Sequence, residues 1–203
     1  YQSEVKYNLE GTIDNLALSP LTGRSLPIAV AGDVATPQSV EFKFQTGIAP
    51  DWLAFGSVKW TDWSSVETVA FDSSANLQLA PGVIVPKGTN ITNLNLYYQD
   101  GWTVSGGVGH KFNEQWSAAA TVTWDRGTTT GLTSQTDLWL FGLGTNYKAT
   151  ENFEIRLAGA AGWLTSGEMD DTIVNGKPNA TGSKGEFGND FVGGLSLTAK
   201  VKF

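Results

Sequence analysis

Few side chains in this sequence could carry chemistry on their own. His110 is the only histidine, and a Ser-His-Asp triad would need it in a cleft with a carboxylate behind it. Its place in an alternating segment puts it on the apolar side near a tight turn, which predicts an interfacial amphipathic role. The chain has no cysteine, which removes thiol nucleophiles, disulfides and Cys-based zinc sites. Glu168, Asp170 and Asp171 form an acidic cluster; a weak divalent-cation site is one reading, and solvated loop carboxylates are the usual state. Gly106-Gly107-Val108-Gly109 sits inside a strand pattern with no helix after it, so it does not cradle phosphate. Close packing or a bend is expected there instead. Asn90-Ile-Thr92 and Asn179-Ala-Thr181 match glycosylation sequons and carry little weight here. No catalytic residue, metal or cofactor is expected, and the chain is not read as an enzyme.

The stronger signal is apolar side chains where solvent is expected. Residues 16–31 carry Leu16, Leu18, Leu21, Leu26, Ile28 and Val30, and residues 66–96 carry Val66, Val69, Phe71, Leu77, Leu79, Val83, Ile84 and Val85. Exposed apolar loops are a liability unless they cover each other or bind something apolar. Burying each such side chain is worth about 1.5–3 kcal/mol, whereas ordering a loop costs about 1–2 kcal/mol per residue. The loop at 16–31 is therefore expected either to pack under its neighbours as a lid or to bind an apolar ligand. The six aliphatic residues from Leu16 to Val30 are its predicted ligand contacts.

The elements that must position these residues read as all-β. Among 203 residues there are 24 Gly and 8 Trp, with 40% hydrophobic and 16% charged residues. That composition is too aromatic and too weakly charged for a disordered chain. No run of about 18 consecutive apolar residues exists, which excludes a helical membrane protein. The net charge of -7 and scattered basic residues argue against nucleic acid. The first residues open directly into a strand pattern without a signal peptide, as expected for a processed chain or a fragment.

Period-2 alternation marks about eight segments. At the end of the chain Phe191, Leu195, Leu197, Ala199 and Val201 oppose Asp190, Ser196, Thr198 and Lys200; at the start Val5, Tyr7 and Leu9 oppose Glu4, Lys6 and Asn8. Residues 38–48, 52–62, 102–112, 116–126, 137–149 and 153–164 complete the set. Tight turns at 49–51, 113–115 and 150–152 alternate with long connections at about 15–37, 64–97, 127–136 and 166–187, the layout of a transmembrane barrel with short periplasmic turns and long external loops. An even number of strands places both termini on the periplasmic side. Trp52, Trp116, Phe112, Tyr147 and Phe153 flank the short turns, while Trp60, Trp63, Trp102, Trp124, Trp139 and Trp163 lie at the other strand ends. Two such belts fit two membrane interfaces; the competing assignment, core aromatics of a lipocalin-like soluble barrel, would turn the charged faces outward. Phe203, closing the last alternating segment, resembles the C-terminal aromatic signal by which the assembly machinery recognises outer-membrane proteins and is expected to serve as one. The expected fold is an antiparallel up-and-down transmembrane β-barrel, a monomer in outer-membrane lipid. Its opposite face, with Glu4, Lys6, Glu41, Lys43, Lys59, Lys111, Glu154, Arg156, Lys200 and Lys202, is expected to be polar and to pair internally.

Several of these segments resemble one known family. Tyr1 to Gly11, Trp52-Leu-Ala-Phe-Gly56 with Trp60-Thr-Asp-Trp-Ser64, Trp102 to Phe112 with Asn113-Glu-Gln-Trp116, Asp137 to Gly144 and the closing Phe203 are similar to the FadL family of outer-membrane long-chain fatty-acid and hydrocarbon transporters. The resemblance covers essentially all of this chain but only the C-terminal part of a family member, whose barrel has fourteen strands and an N-terminal hatch. It implies a piece of a larger barrel; read without it, the chain could equally be a closed eight-stranded barrel filled by its own side chains. It also implies uptake of hydrophobic small molecules, with the loop at 15–37 contributing to an outer capture groove. The family uses basic residues for the fatty-acid carboxylate; near its lysine this sequence has Asn93 and Leu94, and Lys87 upstream is the head-group candidate. The competing function is a structural or adhesive small barrel whose loops bind partners.

Overall fold

The computed structural model describes residues 1–13, 27–130, 135–170, 173–174, 177–178 and 184–202. In chain order the strands are β1 (Val5–Ile13), β2 (Ile28–Thr36), β3 (Ser39–Ala49), β4 (Trp52–Thr61), β5 (Thr68–Ser73) and β6 (Leu77–Ala80). They continue with β7 (Val83–Val85), β8 (Asn90–Asn95), β9 (Gly101–Lys111), β10 (Trp116–Asp125), β11 (Leu138–Lys148) and β12 (Phe153–Leu164). The last are β13 (Gly167–Asp170), β14 (Ile173–Val174), β15 (Lys177–Pro178), β16 (Lys184–Phe187) and β17 (Asp190–Val201). A single 3-10 turn, Trp63–Val66, is the only helical element among the described residues. All eight segments with clear alternation are strands.

The chain divides into two compact units. The first holds Ser39–Asp62 and Gln99–Phe203 and is built on a seven-stranded antiparallel sheet of order β17-β12-β11-β10-β9-β4-β3. Each strand in it neighbours the sheet's own next strand in chain order, as in an up-and-down meander. Among the described residues β3 and β17 pair on one side only, so the sheet is open, as a part of a larger barrel is. The tight turns follow from their residues. Asp51 takes a φ of 64°, a left-handed conformation that Asp tolerates. The Asn113 side chain accepts the backbone N–H groups of Gln115 at 2.9 Å and Trp116 at 2.8 Å, an Asx turn. Gly107 has no substitute where it stands: a Cβ there would lie 2.6 Å from the Ala120 carbonyl oxygen and 2.7 Å from the Phe55 ring.

The second unit, Gln2–Gln38 and Trp63–Tyr98, carries a four-stranded sheet of order β1-β2-β5-β8 and the β6–β7 hairpin. The connections at 15–37, 64–97 and 166–187 are therefore not bare loops. They contain β2, then β5 to β8, then β13 to β16. β2 escaped the alternation pattern because alanines at 29, 31 and 35 leave its two faces with little contrast. It pairs along its full length with β1, from Val5 opposite Thr36 to Ile13 opposite Ile28. Thus β1 lies in a different sheet from the other seven predicted strands. Ile28, Val30, Val66 and Val69 form the buried core of this unit. Its other face is a polar ladder, with Asn8 donating to Asp33 at 3.0 Å, Thr68 to Asn95 at 3.0 Å, and Asn90 to Asp72 at 3.0 Å.

Candidate functional site

Cross-strand register gathers the apolar residues of the seven-stranded sheet on one face. Phe42 lies opposite Val58, Val58 opposite Val104, and Val104 opposite Trp124. Further along, Val122 is opposite Phe141, Thr145 opposite Leu157, and Leu157 opposite Leu197. The face is uncovered: Leu143 is 71%, Leu197 73% and Leu195 88% exposed. So large an exposed apolar surface needs an apolar surrounding.

Aromatic rings bound this face at both ends. At the short-turn end Trp52 is stacked on His110 with centroids 4.3 Å apart, Phe112 meets the imidazole edge-on at 4.7 Å, and Trp116 is stacked on Tyr147 at 4.4 Å. His110 Nδ1 lies 3.1 Å from the Asp51 carbonyl oxygen. A carbonyl only accepts, so Nδ1 carries the proton. The sole histidine is thus an interfacial ring, as its sequence position suggests. At the other end Trp60 lies opposite Trp102, Trp124 opposite Trp139, Trp139 opposite Trp163 and Trp163 opposite Phe191. The indoles of Trp60 and Trp124 donate to Asp100 at 3.0 Å and Asp137 at 2.8 Å, the one-end-wet, one-end-dry arrangement expected of an interface. Trp63 sits in the 3-10 turn of the second unit and meets Tyr98 edge-on at 5.8 Å. From Trp52 to Trp60 is eight residues, about 27 Å along the strand or about 20 Å along a bilayer normal at a tilt of about 40°, close to the apolar band of outer-membrane barrels.

Charge on the opposite face gathers toward its ends. Glu41 pairs with Lys43 at 3.1 Å, Glu154 with Arg156 at 2.6 Å, and Lys111 with Glu114 at 2.6 Å. In the second unit Glu4 pairs with Lys6 at 3.6 Å. Two of these pairs, Glu41 with Lys43 and Glu154 with Arg156, join residues two apart on one strand, whose side chains share a face. The Lys111 ammonium, hydrogen-bonded to Glu114 in the turn, holds that carboxyl below the usual carboxylate range. Internal pairing is incomplete, because Lys59, Lys200 and Lys202 make no salt bridge among the described residues. Between the charged ends this face is small and largely uncharged, with Ser57 and Ser105 hydrogen-bonded at 2.9 Å beside apolar and glycine positions, a departure from the uniformly charged face expected. Leu53, Phe55, Gly109, Ala119, Gly144 and Ala158 line a cavity of about 450 Å³, and Thr121, Gly142, Ala160 and Gly194 lie in a second of about 540 Å³. Gly and Ala at every second position differ little in bulk or charge from their neighbours and so leave no alternation to read.

The predicted ligand contacts separate. Ile28, 1% exposed, and Val30, 4% exposed, are core of the second unit rather than an open apolar loop. Leu16, Leu18, Leu21 and Leu26 lie outside the described residues, as does Phe203. Lys87 stands exposed in the turn after β7, where its backbone N–H donates to Asn76 at 2.8 Å. Backbone bonds from Gly88 to Ser73 and from Ser73 to Thr89, both 2.8 Å, tie this turn to the residue opposite Val30. Asp170 of the acidic cluster is engaged by Lys184 at 3.0 Å across the β13–β16 hairpin, and Asp171 lies outside the described residues.

Comparison with known proteins agrees with this arrangement. The family described as "Outer membrane protein transport protein (OMPP1/FadL/TodX)" matches residues 1–190. Among solved structures the chain is similar to a FadL homologue of Pseudomonas aeruginosa, with a TM-score of 0.68 and 17% identity over 98% of this chain and 47% of that one. It is also similar to the toluene transporter TodX of P. putida, with a TM-score of 0.52 and 16% identity over 99% of this chain and 43% of that one. The chain thus spans about half the length of these neighbours. No curated protein matches it.

Proposed function

Because the chain belongs to the OMPP1/FadL/TodX family of outer-membrane transport proteins, we propose that the complete protein takes up hydrophobic compounds, long-chain fatty acids or hydrocarbons, across the outer membrane. The observation that carries this reading is the pairing of two surfaces on one sheet. The outer face meets lipid between two aromatic belts, and the opposite face offers a bed of Gly, Ala, Leu53 and Phe55 where a polar-solute pore would place charges. A hydrocarbon chain leaving water gains about 0.8 kcal/mol per buried methylene, so such a bed retains apolar solutes and passes polar ones by. Leu16, Leu18, Leu21 and Leu26 provide the first capture, and Lys87 the first polar contact with a head group. The chain acts as a monomer in lipid, with termini and short turns periplasmic, the long connections external, and Phe203 addressing the assembly machinery.

Reconstituting the full-length protein in vesicles and following uptake of labelled palmitate and of toluene tests the function. Uptake no faster than in protein-free vesicles overturns it. Cysteine labelling of intact cells tests the orientation. Ser74 and Ser166 should label while Asn113 and Thr150 should not, and the reverse pattern contradicts the assignment.

A further inference from the structure

On the apolar face of the seven-stranded sheet, a polar notch interrupts the band at its short-turn end. Ala118 of β10 lies opposite His110 of β9 on one side and opposite Thr145 of β11 on the other. The alanine is small, so His110 and Thr145 flank a gap two strand spacings wide, about 10 Å between their Cα atoms. Both flanking groups have their protons committed elsewhere. Nδ1–H of His110 donates to the Asp51 carbonyl at 3.1 Å, which leaves the ring's lone pair on Nε2. Among the described residues that nitrogen makes no hydrogen bond. Thr145 donates its hydroxyl to the Ser117 carbonyl at 3.2 Å, so its oxygen is left to accept. On the turn side of the gap stand the exposed ring of Phe112 and that of Trp116, stacked on Tyr147. On this face β9, β10, β11 and β12 carry no Lys, Arg, Asp or Glu. The notch thus sets two acceptors beside electron-rich ring faces with no charge of its own. Such a site suits a cation bearing N–H groups, whose hydrogens meet the acceptors while its charge lies against the rings.

The notch opens onto an apolar groove of about 800 Å³ that includes Ala118 and Thr145 and runs toward the other aromatic belt. Register sets its walls. Leu157 lies opposite Thr145, Leu143 and Leu195 stand on either side of Gly159, and Phe141 and Gly193 stand on either side of Ala161. From Leu157 to Ala161 is about 13 Å of strand. Leu195 reaches over Gly159, where a Cβ would lie 2.8 Å from its Cδ2, so bulk added to this floor closes the groove. A polar end joined to an apolar length, on a face set between two aromatic belts, fits a molecule of the surrounding bilayer rather than a solute arriving from water.

We propose that the notch and groove hold one phospholipid with a primary ammonium head. The ammonium donates to His110 Nε2 and Thr145 Oγ1 against the rings of Phe112 and Trp116. One acyl chain lies along Leu143, Leu157 and Leu195 over Gly159 and Ala161. A trimethylammonium head has the charge without the N–H groups, and a phosphoglycerol head has hydroxyls without the positive charge. Neither meets both the acceptors and the rings. The site lies on the face turned away from the transport bed and takes no part in the uptake proposed above.

Native mass spectrometry of the full-length protein in a neutral detergent tests the site, with separate titrations of phosphatidylethanolamine, phosphatidylcholine and phosphatidylglycerol of identical acyl chains. The first phosphatidylethanolamine should bind about fivefold tighter than either other lipid, as expected for a net hydrogen bond at a partly exposed site. His110→Phe keeps a ring against Trp52 and removes the acceptor, and it should bring phosphatidylethanolamine down to the level of phosphatidylcholine. Ala161→Leu fills the groove floor and should weaken all three lipids to a similar degree. Equal binding of the three lipids by the unaltered protein overturns the ammonium notch, and so does a preference undiminished in His110→Phe. Unchanged binding in Ala161→Leu overturns the groove. Each of these results leaves transport standing, because uptake of palmitate and toluene is read separately. The lipid comparison uses the unaltered protein, so it decides the head-group assignment even where a variant loses heat-modifiable migration.

Discussion

Replacing Leu143 with arginine probes whether the exposed face of the seven-stranded sheet meets lipid. Leu143 lies on β11, four residues from Trp139 in one belt and four from Tyr147 in the other. That is about 14 Å along the strand in each direction, or about 10 Å along the normal at a tilt of about 40°. It is therefore at the centre of the apolar band, and it is 71% exposed. Arginine on the lipid face of a barrel costs about 2–4 kcal/mol at the midplane and about 0–1 near the interface. At about 1.36 kcal/mol per tenfold, Leu143→Arg should shift the folding equilibrium by about 30- to 900-fold. Phe112→Arg, in the turn-side belt, should shift it by less than about tenfold, and Ser196→Arg, near the same depth on the opposite face, should do little. The assay is urea unfolding of the full-length protein in lipid vesicles, followed by tryptophan fluorescence. If Leu143→Arg costs no more than Phe112→Arg, the face does not lie across a bilayer, and the depth argument fails with it.

Further outcomes follow from single positions. Ile28→Ala removes the most buried aliphatic side chain of the second unit and should cost about 2–5 kcal/mol, read as early loss of hydrogen-exchange protection in β1 and β2. Leu21→Ser with Leu26→Ser, leaving Ile28 intact, should lower binding of a fluorescent apolar probe without changing heat-modifiable migration; unchanged binding removes these residues from capture. Gly107→Val forces a methyl toward the Phe55 ring and the Ala120 carbonyl and should destabilise by about 1–3 kcal/mol through overpacking, measured in the same urea titration. Glu114 should titrate below an ordinary glutamate by NMR and return to the ordinary range in Lys111→Met. Because its folded value is depressed, its small contribution to stability is present above the unfolded value and fades as pH falls through the folded one.

Much of the unit built on β3, β4, β9 to β12 and β17 was legible in the sequence, because a strand whose two faces meet different media alternates in bulk and polarity at every residue. Phe191 to Val201 against Asp190 to Lys200 needs no partner strand to be read. The belts were legible for the same reason: Trp52, Trp60, Trp102, Trp116, Trp124, Trp139 and Trp163 mark strand ends by position alone. Alternation, however, states only that two faces differ. It does not say which strand is the neighbour, so the placement of β1 beside β2, with the burial of Ile28 and Val30 in place of an open apolar loop, waited for the pairing. Alanine at 29, 31 and 35, apolar like Ile28, Val30 and Val34 on the other face, hid the strand itself. Nor does alternation register side chains that are absent: the bed around Gly144 and Ala158 exists because adjacent strands each present Gly or Ala at one depth. The notch between His110 and Thr145 likewise depends on a register that joins residues far apart in the chain. Local chemistry along the chain determined the faces; tertiary pairing decided what those faces bring together.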